Sequence, residues 1–266
     1  MKDGNDKRSI FGEQYQKSFL RFAQGIMIPV LFILMWQYLS SIGFLNNYLL
    51  PSPSKIFRTF IELLTGGSVI KHLLISLIRL GIGLSITICM AIPLGVSLGF
   101  FFPIQKFITP TLTFLQQIPA IAWIPIFILW LGIGESSKIA LIVYASFFPV
   151  FLNTLHGIQA VDPKLKEVSY AYRLSMIASI YKVYLPSAAP FIFVGIRLGL
   201  SNCWKALVAA EIIASSQGIG YLLMEGRDLA QPEQIFVSIF VIGIAGIILD
   251  LGLRYLEKFL LPWSEI

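Results

Sequence analysis

Charge is scarce in this chain. Only 13% of its residues are Asp, Glu, Lys or Arg and 56% are hydrophobic, whereas soluble domains carry roughly 25% charged residues. Together with a mean hydropathy of +0.79, this excludes an ordinary water-soluble globule. Histidine is nearly absent: His72 and His156 stand far apart, with neither cysteine nor paired carboxylates beside them, so they offer no metal-ligand set. Cys89 and Cys203 lie in apolar runs without a spaced partner. That argues against a disulfide framework and predicts two buried small hydrophobes. The sequence has no G-x-x-x-x-G-K-[ST] phosphate loop and no G-x-S-x-G elbow, so it shows neither an ATP site of its own nor a hydrolase nucleophile. No residue stands out as catalytic.

What the chain does have is apolar length. A membrane span needs about 20 mostly apolar residues, and runs of that kind occupy 25–45, 74–101, 107–131, 138–158, 188–213 and 234–255. The expected architecture is all-α, a polytopic membrane helix bundle of about six transmembrane helices. Residues 1–24 are rich in both signs of charge and the apolar run after them is long; they read as a solvated cytoplasmic tail followed by an uncleaved anchor. With both termini inside, Lys2, Lys7, Arg8, Lys17, Arg21, Lys106, Lys164, Lys166, Arg173, Lys182, Arg254 and Lys258 fall on the cytoplasmic side. Only Lys55, Arg58, Lys71, Lys138 and Arg227 fall outside, a positive-inside bias. The net charge of +6 therefore reports topology and is no nucleic-acid footprint.

Between the first two spans, Pro51-Ser-Pro-Ser54 opens a segment in which Ile56, Phe57, Phe60, Ile61 and Leu64 recur at helical spacing. Two readings stand for it: an amphipathic helix at the outer interface, or a connector packed on the bundle. Gly95 with Gly99, and Gly195 with Gly199, are small-xxx-small pairs that allow close helix approach. Pro119 and Pro125 interrupt the third span near Trp123. Either that helix is broken beside a pathway, or it is kinked against a neighbour.

Ionisable residues inside spans are costly in lipid. Arg79 lies near the outer start of its span and is expected to snorkel to the interface. Arg197 and Asp250 are placed for an intramembrane ion pair. Lys205 lies roughly 25 Å up the fifth span at about 1.5 Å per residue, and Asn202 shares its face. With Trp204, these two residues either line an outward cavity and hold an anion, or Lys205 pairs with a carboxylate on another helix. Glu211 is about 120° round from Lys205 and a poor partner for it. The candidate pathway set is Pro119, Trp123, Asn202, Trp204, Lys205 and Glu211.

The polar island EVSYAYRLSMIASIYKVYLP, residues 167–186, separates two apolar runs. Glu167-Val-Ser169, followed nineteen residues after the Glu by Leu185-Pro186, resembles the EAA loop of binding-protein-dependent ABC importer permeases. LLPSPSKIF, HLLISLIRL, IPAIAWIPIFILWLGIGESSKI and LVAAEIIASSQGIGYLL are similar to the nitrate, sulfonate, taurine and bicarbonate branch of that family. The resemblance implies a type I ABC importer permease fold, with a membrane domain over 25–266 and a coupling loop over 159–187. It implies two short helices docked in a cytoplasmic ATP-binding subunit, carrying Glu167, Val168, Ser169, Ala171, Arg173, Ser175, Leu185 and Pro186. It further implies an external solute-binding protein, a second permease copy within the membrane lipid, and ATP with Mg held by the partner ATPase and not by this chain. Val168 and Ser169 replace two alanines, and Arg173 stands where the family has Gly. Because arginine avoids a positive φ, the expectation is that Arg173 pairs with an acid on the ATPase. Two rival readings stand beside it: an ion-coupled carrier or channel relaying charge through Arg197, Lys205, Glu211 and Asp250 without an ATPase, and a membrane-embedded enzyme using Glu211 or Asp250 as an acid or base.

Overall fold

The computed structural model describes residues 27–263; the expected cytoplasmic tail lies outside them. The described residues form α1 (Met27–Ser41), α2 (Pro53–Thr65), α3 (Ser68–Phe100), α4 (Phe102–Gln117), a 3-10 turn (Ala120–Trp123), α5 (Ile124–Leu131) and α6 (Glu135–Gln159). After these come α7 (Pro163–Ala171), α8 (Met176–Ser179), a π-helical turn (Ile180–Tyr184), α9 (Leu185–Ala214), α10 (Ile219–Asp228) and α11 (Pro232–Leu260). Among the described residues, four helical runs, built on α3, α6, α9 and α11, are long and apolar enough to cross a bilayer, or five if α4 and α5 count as one span. The first expected span is represented by the shorter α1. The third is not a straight helix: its halves are bent by 88°. Pro119 follows an extended Ile118 (ψ 117°), because a residue before proline is pushed out of the helical region.

The bundle is organised around α6. Leu141, Ile142, Val150, Phe151, Leu155 and Ile158 are buried on all sides of it, the pattern of a helix enclosed by others. On one flank, a Cβ at Gly83 would strike Ile142, one at Gly95 would strike Thr154 and one at Gly99 would strike Ile158. Thr87 and Ser146 share a hydroxyl hydrogen bond of 2.7 Å. Each pair differs by 59 in sequence number, so α3 and α6 run parallel in one constant register. On the other flank, Gly195 and Gly199 press against the backbone of Pro149 and Ser146, and Gly157 presses against Ala188. The two numbers fall and rise oppositely here, so α9 is antiparallel to α6. Both glycine pairs seen in the sequence therefore form intramolecular seams.

Helix α2 begins within the Pro- and Ser-marked opening expected from the sequence, with Ser52 capping the Lys55 amide at 3.3 Å and Pro53 in the first turn. It packs as a connector: Ile56 is buried and Lys55 meets Glu233 of α11 at 3.1 Å. Of the two cysteines, Cys203 is buried as expected, but Cys89 is exposed on this chain. Its position on α3 is turned away from α6, a direction that hydropathy does not encode.

Candidate functional sites

The polar island folds as two short helices joined by a tight turn. Asp162 caps α7 by accepting from the Lys164 amide at 2.8 Å. The far end of α7 closes through a six-to-one bond from Leu174 N to Ser169 O of 3.1 Å and a bond from Arg173 N to Tyr170 O of 2.9 Å. This is a Schellman motif, with Arg173 at the left-handed position that usually belongs to glycine. Its φ is +46°, so the expectation that arginine would avoid the glycine geometry is overturned. The two closing bonds offset an αL penalty of roughly 1–2 kcal/mol. Ser175 then caps α8 through the Ala178 amide at 3.3 Å. Tyr184 anchors the loop by setting its ring edge against Phe100, centroids 4.6 Å apart.

Glu167, Val168, Ala171, Arg173, Ser175 and Pro186 are exposed, Leu185 is half-buried and Ser169 is buried. Glu167 has no ion pair or hydrogen bond among the described residues. Tyr170 and Tyr172 are exposed beside it, so the loop presents a free carboxylate among aromatic rings on a capped scaffold. Arg173→Gly relieves the αL strain and is expected to stabilise the turn by about 1 kcal/mol. Slower hydrogen exchange of the Leu174 amide is the readout; faster exchange contradicts the assignment of strain.

Between the broken span, α6 and α9 lies a cavity of about 420 Å³. Ile118 and Pro119 wall one side, Tyr144 and Phe148 a second, and Asn202 and Lys205 a third. The Tyr144 hydroxyl is engaged by the broken helix, donating to Leu115 O at 2.7 Å. Trp123 does not line the cavity; it backs the wall, with ring centroids 5.2 Å from Tyr144 and 6.0 Å from Phe127. A second cavity of about 570 Å³ lies between α9 and α11, where Lys205 is joined by Trp204, Arg197 and Asp250. Trp204 is mostly buried and donates from Nε1 to Ile242 O at 3.3 Å. Arg197 lies 3.9 Å from Asp250 and 3.7 Å from Glu257, so the suspected intramembrane pair is present and extended by a second acid.

Glu211 lines neither cavity. It is fully buried, near the end of α9 that lies away from the polar island. Arg79 reaches it there, with Nη1 donating to Glu211 Oε1 at 2.7 Å and to Gln217 O at 2.8 Å. The same guanidinium grips Glu135 with two donors, at 2.6 and 2.5 Å. Arg79 is 3% exposed, so it does not snorkel: two carboxylates on neighbouring helices hold it inside. Ser76 donates to the Glu211 carboxylate at 2.8 Å and accepts from Ile219 N at 2.9 Å. Gly220 N donates to Glu211 at 3.0 Å, and Gly218 N donates to His72 Nδ1 at 3.1 Å.

The turn after α9 is thereby pinned to α3 and α6. Gly218 is required in it, since φ is +114° and a Cβ would collide with the Glu211 carboxylate. Sequence reasoning passed over Ser76 and Glu135 and weighed His72 only as a metal ligand. The signal available was Gly218-Ile-Gly220 a few residues after Glu211, a spacing that lets backbone amides fold back on a carboxylate.

Residues 91–263 match the family model described as binding-protein-dependent transport system inner membrane component. Among curated proteins, the chain is 38% identical to the putative aliphatic sulfonates transport permease protein SsuC of Bacillus subtilis, over 91% of this chain and 88% of that protein. It is 30% identical to the taurine transport system permease protein TauC of Escherichia coli, over 86% and 85%. It is also 30% identical to the bicarbonate transport system permease protein CmpB of Synechocystis, over 96% of each.

Proposed function

The chain belongs to the family of binding-protein-dependent transport inner membrane components, the multi-pass permeases of ABC importers, and from that premise we propose how it is assembled and what it carries. Two copies, each with its membrane domain over 25–266, enclose one pathway. A separate ATP-binding subunit holds ATP and Mg and docks on residues 159–187. An external solute-binding protein delivers cargo to the opposite face, and both termini are cytoplasmic, as the distribution of Lys and Arg favours. The cargo is a small oxyanion, the class shared by the sulfonate, taurine and bicarbonate names of its relatives.

The observation that carries the reading is the free carboxylate of Glu167 on a capped, exposed two-helix loop that leads straight into α9. Nucleotide-driven closure of an ATPase dimer moves membrane helices only through a stiff link. Capped ends and the Tyr184 anchor supply that stiffness, and Glu167 supplies a polar contact. Purification of the tagged chain from its native membrane is expected to recover an ATP-binding subunit in about equal amount. Glu167→Lys, at an exposed site, is expected to weaken that association at least about tenfold, a charge contact being worth roughly 1.5–3 kcal/mol, with the permease's thermal stability unchanged. Recovery of the chain alone, with solute flux intact after reconstitution, points instead to a carrier or channel that needs no ATPase.

A further inference from the structure

Apart from Lys71, Lys106 and Lys258, which lie within about a turn and a half of a helix end, the charges on the described spans balance against one another, and Lys205 is the exception well inside a span. Arg79 and Lys138 meet Glu135 and Glu211. Arg197 and Arg254 meet Asp250 and Glu257, and Glu233 is taken by Lys55. Lys205 has no ion pair or hydrogen bond among the described residues. It lies nine residues before Ala214, the end of α9, or about 14 Å along the helix, too deep for its ammonium to reach the interface easily. Lys205, Asn202 and Ser201 are exposed on this chain and form a polar stripe on α9. An ammonium left facing hydrocarbon is costly, so residues of this kind face water or a ligand.

The cavity beside Lys205 has a distinct chemistry. Its volume of about 420 Å³ falls within the range of small-molecule sites. Among the described residues, Lys205 is its only charged wall residue, Asn202 and Gln116 offer amides, and no carboxylate lines it. The remaining wall is largely apolar, including Pro119, Ala145 and Phe148. Such a site suits a monoanion joined to an apolar body. A zwitterion such as taurine would bring an ammonium with no acid to meet it, and nitrate or bicarbonate would leave the apolar wall empty.

We propose that this cavity is an anion subsite within the permease itself, with Lys205 as its charge and Asn202 as its directional donor, selective for sulfonates bearing an uncharged aliphatic chain. The inference rests on the importer reading and places part of the selectivity in the membrane subunit.

The test uses the full chain in nanodiscs, with methanesulfonate, butanesulfonate, taurine and sodium nitrate titrated by ligand-observed NMR. Butanesulfonate is expected to bind best, affinity rising by up to about fourfold per added methylene. Lys205→Gln is expected to lose at least about tenfold in affinity for both sulfonates and Asn202→Ala about fivefold, the difference between charged and neutral hydrogen bonds. Lys205→Arg, which keeps the charge, is expected to retain binding. Binding unchanged in Lys205→Gln, no gain with chain length, no detectable butanesulfonate binding, or nitrate binding as tightly as butanesulfonate each overturns the subsite. Co-purification of the ATP-binding subunit separates the two readings. If it persists while the sulfonate titration fails, only the subsite falls; if the wild-type chain recovers no ATPase, the importer reading falls whatever the titration gives.

Discussion

Arg79→Met is expected to destabilise the permease by about 3–5 kcal/mol, the range for removing one partner of a buried ion pair. The loss comes mainly from Glu211. Glu135 is 59% exposed at its side chain and can turn to water when the guanidinium is gone, so that contact contributes little. Glu211 is 0% exposed and would keep only Ser76 and the Gly220 amide. A buried carboxylate left with two neutral donors and no cation bonded to it is unstable, and the turn at Gln217 loses its bond to Arg79 as well. Arg79→Lys is expected to recover only part of the loss, because one ammonium cannot hold two carboxylates and a carbonyl in a fork. Arg79→Met combined with Glu211→Gln should be more stable than the sum of the single changes, since the second substitution removes the orphaned charge. Thermal unfolding in detergent of the wild type, Arg79→Met, Arg79→Lys, Glu211→Gln and the double variant measures these effects. Wild-type stability in Arg79→Met would show that the cluster carries no weight.

The same cluster marks where sequence reasoning ends. Arg79 and Glu211 are 132 residues apart, and nothing local to either names the other. Judged on its own helix, Glu211 has only Lys205 nearby in number and not in angle, so it looked unpartnered. Its cation lies on α3, reached only once α3, α6 and α9 are packed. Periodicity and small residues were legible because they act within one element: the spans on α3, α6, α9 and α11, the Pro- and Ser-marked start of α2 and the small-residue faces of α3 and α9 follow from spacing alone. The polar island was legible by its length and by its Glu and Leu-Pro ends. Its turn was misjudged because a propensity was weighed without the hydrogen bonds that oppose it. Arginine disfavours a positive φ, yet at Arg173 two closing backbone bonds prevail. The break at Pro119 was visible as a proline, but its 88° angle depends on how α5 packs against α6.

Gly195→Leu is expected to separate α9 from α6 and to cost more than the roughly 1–3 kcal/mol typical of overpacking. A Cβ at Gly195 would lie 2.9 Å from Pro149 O, 3.2 Å from Val150 Cα and 2.8 Å from Asn153 Cβ. The first two are backbone atoms of the central helix, which cannot rotate away as a side chain does; relief requires moving one helix bodily. Gly243→Leu on α11 is the control, because nothing lies within 4 Å of a Cβ there and the added side chain is expected to be tolerated. The comparison is read by yield of monodisperse protein and by thermal unfolding, and equal behaviour of the two variants contradicts the assigned seam. The consequence reaches the proposed function, because α9 runs unbroken from Leu185 at the proposed coupling loop past Lys205 to Ala214. Gly195 and Gly199 fix that helix to α6 between the two sites. A milder Gly195→Ala variant, which shifts the seam without dissolving it, is therefore expected to lower transport more than it lowers ATPase binding, since the loop stays folded while its motion is no longer delivered to the cavity.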